Sequence, residues 1–136
     1  MVVTADHGMI DVAGEPRWDV GENPALASGV ELVAGEPRAI HVHADAGESA
    51  LAVAARWSAE LGDHAVVGTR EQWIATGVFG PVAEHVLPRI GDVVVAMTGR
   101  ATVVDSRTQT PASLGLVGMH GSLTPEELFV PLLILA

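Results

Sequence analysis

The apolar positions of this chain change their period several times, and each change marks an element. Ala39-Ile40-His41-Val42-His43 alternates between Pro37 and Gly47, the period-2 signature of a strand, and it puts His41 and His43 on one face. From Leu51 the period lengthens. Leu51, Ala54, Ala55, Ser58 and Leu61 fall at helical spacing, with a capping box from Asp45 to Glu48 ahead of them and Gly62 as the stop. Residues 64–68 read as a second strand, and Thr69-Arg70-Glu71-Gln72 as a second capping box that opens a short helix ending near Gly77. Two apolar runs, 92–97 and 101–105, flank Thr98-Gly99-Arg100 as the arms of a hairpin flank its turn. Thr124 caps a helical turn with Pro125 in first position, and residues 130–135 read as a buried strand. Residues 1–5 are already a strand. Residues 11–38, punctuated by Pro16, Pro24, Pro37 and four Gly, form a long irregular excursion with a short helix over 23–28 and a short strand over 30–33.

Strands alternating with helices, the strands nearly continuous in apolar residues, predict an α/β fold with a mainly parallel sheet flanked by helices. The strand–helix–strand–helix order of residues 39–90 predicts a small α/β lobe inserted in the middle. The chain has 136 residues, enough for one domain burying about two-thirds of its unfolded surface. An apolar fraction of 49% excludes intrinsic disorder. Seven Arg, no Lys and seventeen acidic residues give a net charge of −10, which removes the basic surface that nucleic-acid binding requires. With no Cys there is no thiolate, so any metal must sit on His, Asp or Glu. The longest apolar run, 129–136, falls far short of the roughly twenty residues of a membrane span, and no charged leader followed by an apolar stretch marks a signal peptide.

Asp6 and His7 follow the opening strand directly, with Gly8 behind them. Ligands of α/β sheets collect beyond the carboxyl ends of strands, where a carboxylate and an imidazole suit zinc and similar ions. Neighbours on a regular strand face opposite ways, so the strand has to end by Asp6 if both groups are to reach one ion. The other reading is a loop Asp and His that only hydrogen-bond the turn. His120, between two Gly in Gly118-Met119-His120-Gly121, is either a second ligand or a surface turn residue. His41 and His43 would chelate a metal only without a carboxylate partner, and His64 and His85 stand apart from any constellation. Neither a Gly-rich phosphate loop nor a Gly-x-Ser-x-Gly elbow occurs, so no nucleophile is legible.

Taken together, Val2-Val3-Thr4-Ala5-Asp6-His7-Gly8-Met9 at one end and Gly118-Met119-His120-Gly121 with Glu126, Glu127 and Pro131-Leu132-Leu133-Ile134 at the other resemble the C-terminal portion of the alkaline phosphatase superfamily, in particular its type I phosphodiesterase/nucleotide pyrophosphatase branch. The resemblance spans residues 1–136 and is weakest over 11–38 and 69–90. It implies an alkaline-phosphatase-like fold, here incomplete, and a metal-dependent phosphoric ester hydrolase acting on a phosphate ester or nucleotide. It implies two divalent ions, zinc above all, side by side over the sheet, and a Thr or Ser that forms a covalent phospho-enzyme intermediate. Asp6 and His7 would be ligands of the ion beside the nucleophile, and His120 a ligand of the other. The family's nucleophile and remaining ligands lie upstream of its Asp-His-Gly motif, so this chain is expected to be the trailing part of a larger catalytic domain and inactive by itself. The alternative is a non-catalytic remnant or subunit of that fold, which binds a ligand or partner and self-associates through a sheet edge opened at Val2 and Val3. A third reading is a metal carrier built on His41 and His43.

Overall fold

Val93–Met97 is apolar at every position, and the computed structural model, which describes residues 1–135, shows why. This strand is central in a four-stranded sheet and is covered on both faces. In chain order the elements are β1 (Val2–Thr4), β2 (Ile10–Asp11), β3 (Arg17–Asp19), α1 (Pro24–Ala27), β4 (Val30–Glu36), β5 (Ala39–Ala44), α2 (Ala50–Leu61), β6 (Ala65–Thr69), α3 (Arg70–Ala75), β7 (Val93–Met97), β8 (Thr102–Val104), α4 (Pro111–Leu114), β9 (Gly118–Met119), α5 (Pro125–Leu128) and β10 (Leu132–Ile134). Short 3-10 turns occupy Gly62–His64 and Glu84–Arg89. The chain is mixed α/β.

The main sheet has the order β4-β5-β7-β6, and every pair in it is antiparallel. Val93, Val95 and Met97 point to the side of α2, where they pack with Ile40, Val42, Val53, Trp57 and Leu61. Val94 and Ala96 point the other way, against Trp73 and Ile90. Two of the three Trp rings bury their indole N–H on a backbone acceptor: Trp57 donates to the Leu26 carbonyl at 3.1 Å and Trp73 to the Val94 carbonyl at 2.9 Å. The helix of the main core is capped by Ser49, whose Oγ accepts from the Ala52 N–H at 3.4 Å, so Asp45 is not its cap. Asp45 instead closes a turn, its carbonyl accepting from the Glu48 N–H. Thr69 and Gln72 form the reciprocal capping box that the sequence predicts for α3.

Three expectations are corrected. The described strands do not make a mainly parallel sheet: β3 with β8 is the parallel pair, and the remaining pairs are antiparallel. A continuous apolar run reports burial on both faces, which the centre of an antiparallel sheet meets equally well. The runs either side of Gly99 do not form a hairpin. Both edges of β7 are already occupied by β5 and β6, and Gly99, at φ +51°, turns the chain away so that β8 pairs with β3, Trp18 beside Val103. The terminal strand β10 is not buried: it pairs with β1, Val3 opposite Leu133, in a ribbon exposed throughout. No helix among the described residues is long and apolar enough to cross a membrane.

Candidate metal centre

Strand β1 ends at Thr4 and the chain bends at Asp6, so the two side chains escape strand alternation. Three backbone links then bring the far end of the sequence here. β1 lies beside β10; the Gly8 N–H donates to the Glu127 carbonyl at 2.9 Å; and β2 lies beside β9, with Ile10 opposite Met119. Continuing that register places His120 opposite Met9, within reach of His7. The His7 and His120 rings stack, their centroids 3.7 Å apart and their planes 14° from parallel.

The local geometry fixes what each group presents. His7 Nδ1 is 2.7 Å from the Gly8 carbonyl oxygen, which can only accept, so Nδ1 is the donor and Nε2 is the ring atom left to face a metal. Such an outer hydrogen bond is the usual way a metal-binding imidazole is oriented. Asp6 Oδ1 accepts from the His7 N–H at 3.1 Å and lies 3.8 Å from His7 Nε2. Two ligands of one tetrahedral zinc ion, with bonds of about 2.1 Å, lie about 3.4 Å apart, so Asp6 and His7 match one ion after a small side-chain adjustment. His120 is stacked beside this pair. Among the described residues no set of three or more His, Asp or Glu is gathered closely enough to hold an ion alone.

Beneath the site lies a buried ion pair. Arg38 and Glu127 are fully buried and doubly hydrogen-bonded, Nε to Oε1 at 2.7 Å and Nη2 to Oε2 at 2.8 Å. Arg38 Nη1 also donates to the Ala101 carbonyl, the Ser122 N–H donates to Glu127 Oε1, and the Ser122 hydroxyl donates to the Met97 carbonyl at 2.6 Å. Thr124 gives its hydroxyl to Glu127 Oε2 in place of capping α5. Each nitrogen of the guanidinium and each oxygen of the carboxylate thereby has a partner, and the loop carrying His120 is tied to the main sheet.

No protein-family model and no curated protein matches the sequence. The site therefore rests on its own geometry.

Arg38 gave no signal along the chain, because a lone Arg between Pro37 and Ala39 reads as an exposed turn residue. Glu127 stands in the sequence among the residues of the resemblance, with nothing along the chain to pair it with Arg38. The strand residues His41 and His43 do share a face, but His41 Nδ1 accepts the Gly91 N–H at 3.1 Å and so serves the fold. Burial, and then the neighbouring His43, hold the His41 pKa below its usual value. His64 lies against Trp18, and His85 is exposed on a 3-10 turn.

Proposed function

We propose that this chain carries part of the two-metal site of a metal-dependent phosphoric ester hydrolase, of the nucleotide pyrophosphatase/phosphodiesterase kind, whose nucleophile lies outside it. The observation that carries this reading is the stacking of His7 on His120 with the Asp6 carboxylate 3.8 Å from His7 Nε2. Residues from opposite ends of the sequence meet here, and His7 Nε2 has no hydrogen-bond partner among the described residues. Asp6 and His7 would hold one divalent ion, zinc by their donor chemistry, and His120 the other. Such ions supply positive charge that draws a phosphate ester to a chain of net charge −10 and stabilises the oxygens of displacement. The chain's own residues orient and anchor: Gly8 fixes the His7 tautomer, and the Arg38–Glu127 pair holds the loop of His120. In this reading the parallel pair β3–β8 and the β1–β10 ribbon belong to a larger alkaline-phosphatase-like sheet, with residues 39–90 as an inserted lobe.

Zinc titration of the chain by calorimetry tests the assignment. Weak binding is expected, falling at least about tenfold in Asp6→Ala and His7→Ala, with His120→Ala removing a second, separate event. In a catalytically complete protein each substitution should lower turnover severely while the fold persists. Zinc affinity indifferent to all three would overturn the proposal.

A second reading has its own observation. The β1–β10 ribbon exposes Val2, Leu132, Leu133 and Ile134 and leaves one backbone edge open on each strand. This favours a non-catalytic, partner-binding role in which a second copy of the chain pairs edge to edge.

A further inference from the structure

A cavity of about 210 Å³ lies between the loop joining β2 to β3, strand β8 and the chain that follows α4. It is smaller than the roughly 300–1,000 Å³ of drug-sized pockets, so it suits a ligand of a few heavy atoms. The pairing of β3 with β8 decides what faces it. Arg17 stands directly opposite Thr102, and residues opposite each other in a sheet project to the same side, so a guanidinium and a hydroxyl meet at this wall. Val104 follows Thr102 on the same face, whereas Trp18 and Val103 point the other way, into the main core. Thr102 is only 3% exposed, yet its hydroxyl has no hydrogen-bond partner among the described residues. Arg56 Nε is the fully enclosed side-chain atom left without a partner; the Thr102 hydroxyl, by contrast, keeps access to the cavity. A buried hydroxyl left unpaired costs free energy, which a ligand acceptor placed there would recover. Arg17 spends Nη1 on the Leu114 carbonyl at 2.8 Å and has its other nitrogens left to donate. Among the described residues it forms no ion pair. Glu15 lines the cavity from its exposed loop without pairing with Arg17, and Asp19 already accepts the Gly21 and Ser106 N–H groups. Val12 and Leu114 complete an apolar wall.

We propose that this cavity binds a small aliphatic monocarboxylate. One carboxylate oxygen accepts from the Arg17 guanidinium and the other from the Thr102 hydroxyl, while the hydrocarbon tail lies against Val12, Val104 and Leu114. An alcohol satisfies Thr102 but leaves the guanidinium charge unused, and an amine meets a like charge. A dicarboxylate sets its second charge against a wall that holds no cation besides Arg17. The proposal is independent of the hydrolase reading, since none of Asp6, His7 and His120 lines this cavity.

Butyrate, n-butanol and butylamine test it on the full chain without added metal. Butyrate should shift the methyl resonances of Val12, Val104 and Leu114 along a saturable curve. It should bind about tenfold or more tighter than n-butanol, the effect of one charge-assisted hydrogen bond, and butylamine should leave these resonances in place. Arg17→Gln should bring the ratio of butyrate to butanol close to one. Thr102→Val, which removes the hydroxyl and keeps the branched shape, should weaken butyrate about threefold or more. No saturable shift with butyrate, equal binding of acid and alcohol, or a preference that survives Arg17→Gln would overturn the site. Arg17 also ties β3 to the Leu114 carbonyl, so if Arg17→Gln loses the native spectrum Thr102→Val decides: butyrate affinity unchanged in that variant would overturn the proposal.

Discussion

A methyl group added at Gly8 would overlap the Glu126 carbonyl oxygen and crowd the Glu127 backbone. The close approach exists so that the Gly8 N–H can reach Glu127, and the same residue supplies the carbonyl that orients His7. Gly8→Ala should therefore cost about 1–3 kcal/mol and displace the imidazole; urea denaturation and zinc titration of the variant check both. Glu127→Ala should cost more, about 3–5 kcal/mol, because it strands the Arg38 guanidinium without its partner in the interior. The pair also sets an acid limit. Burial pushes the Glu127 pKa up, but hydrogen bonds from Arg38, Thr124 and Ser122 and the Arg38 charge outweigh it, leaving the value below 4.5. A carboxylate with a lowered folded pKa contributes stability above its unfolded pKa and loses it as pH falls through the folded value, so this contribution fades below about pH 4.5. His41 acts earlier: its pKa is lowered from 6.5, so protonation favours the unfolded chain as pH drops below 6.5. The urea midpoint should decline first below pH 6.5 and again below 4.5, and His41→Gln should flatten the first decline. At this scale the Asp6-His7 and His120 motifs stand out along the chain, but the stacking of His7 on His120 does not. Nor does Arg38, because its role exists only against Glu127 and Ala101, distant in the chain.

At the scale of elements, period and caps translated well where the structure is local. Strand β5 and the Thr69–Gln72 box of α3 stand where the sequence puts them, and α2 has its expected stripe, with Val53, Ala54, Trp57 and Leu61 buried. The cap of α2 moved from Asp45 to Ser49, a shift of one turn that both sequences of polar residues allow. Trp57 is the largest of the fully buried side chains, and its truncation to Ala should cost about 3–5 kcal/mol in urea denaturation, since the sheet cannot collapse into the space. Strand partners were not legible in the same way. The apolar character of β7 said that both its faces are covered but not which strands lie at its edges, and the Gly99 turn looked like a hairpin only until β6 claimed the edge that β8 would have used.

For the whole molecule the question is what an exposed apolar ribbon does in water. Val2 is 63% exposed and Ile134 75%, and two strands alone are marginal in stability. A concentration-dependent mass in light scattering is expected from this surface. Val3→Lys combined with Leu133→Lys, which puts like charges directly opposite each other, should return the chain to monomer mass. An unchanged mass distribution between wild type and variant would show that the ribbon is not the contact.

The sequence alone determined the features that depend on neighbours a few residues apart: helix and strand periods, the Thr69 box, and the acidic, Cys-free character that confines any metal chemistry to His and carboxylates. Tertiary structure decided the rest. It chose antiparallel partners for the main sheet, left β10 exposed where its composition asks for burial, set Arg38 on Glu127, and stacked His7 on His120. The physical reason is that pairing and burial are settled by competition among distant segments for the same edges and faces, and a residue's own neighbours along the chain do not record who wins.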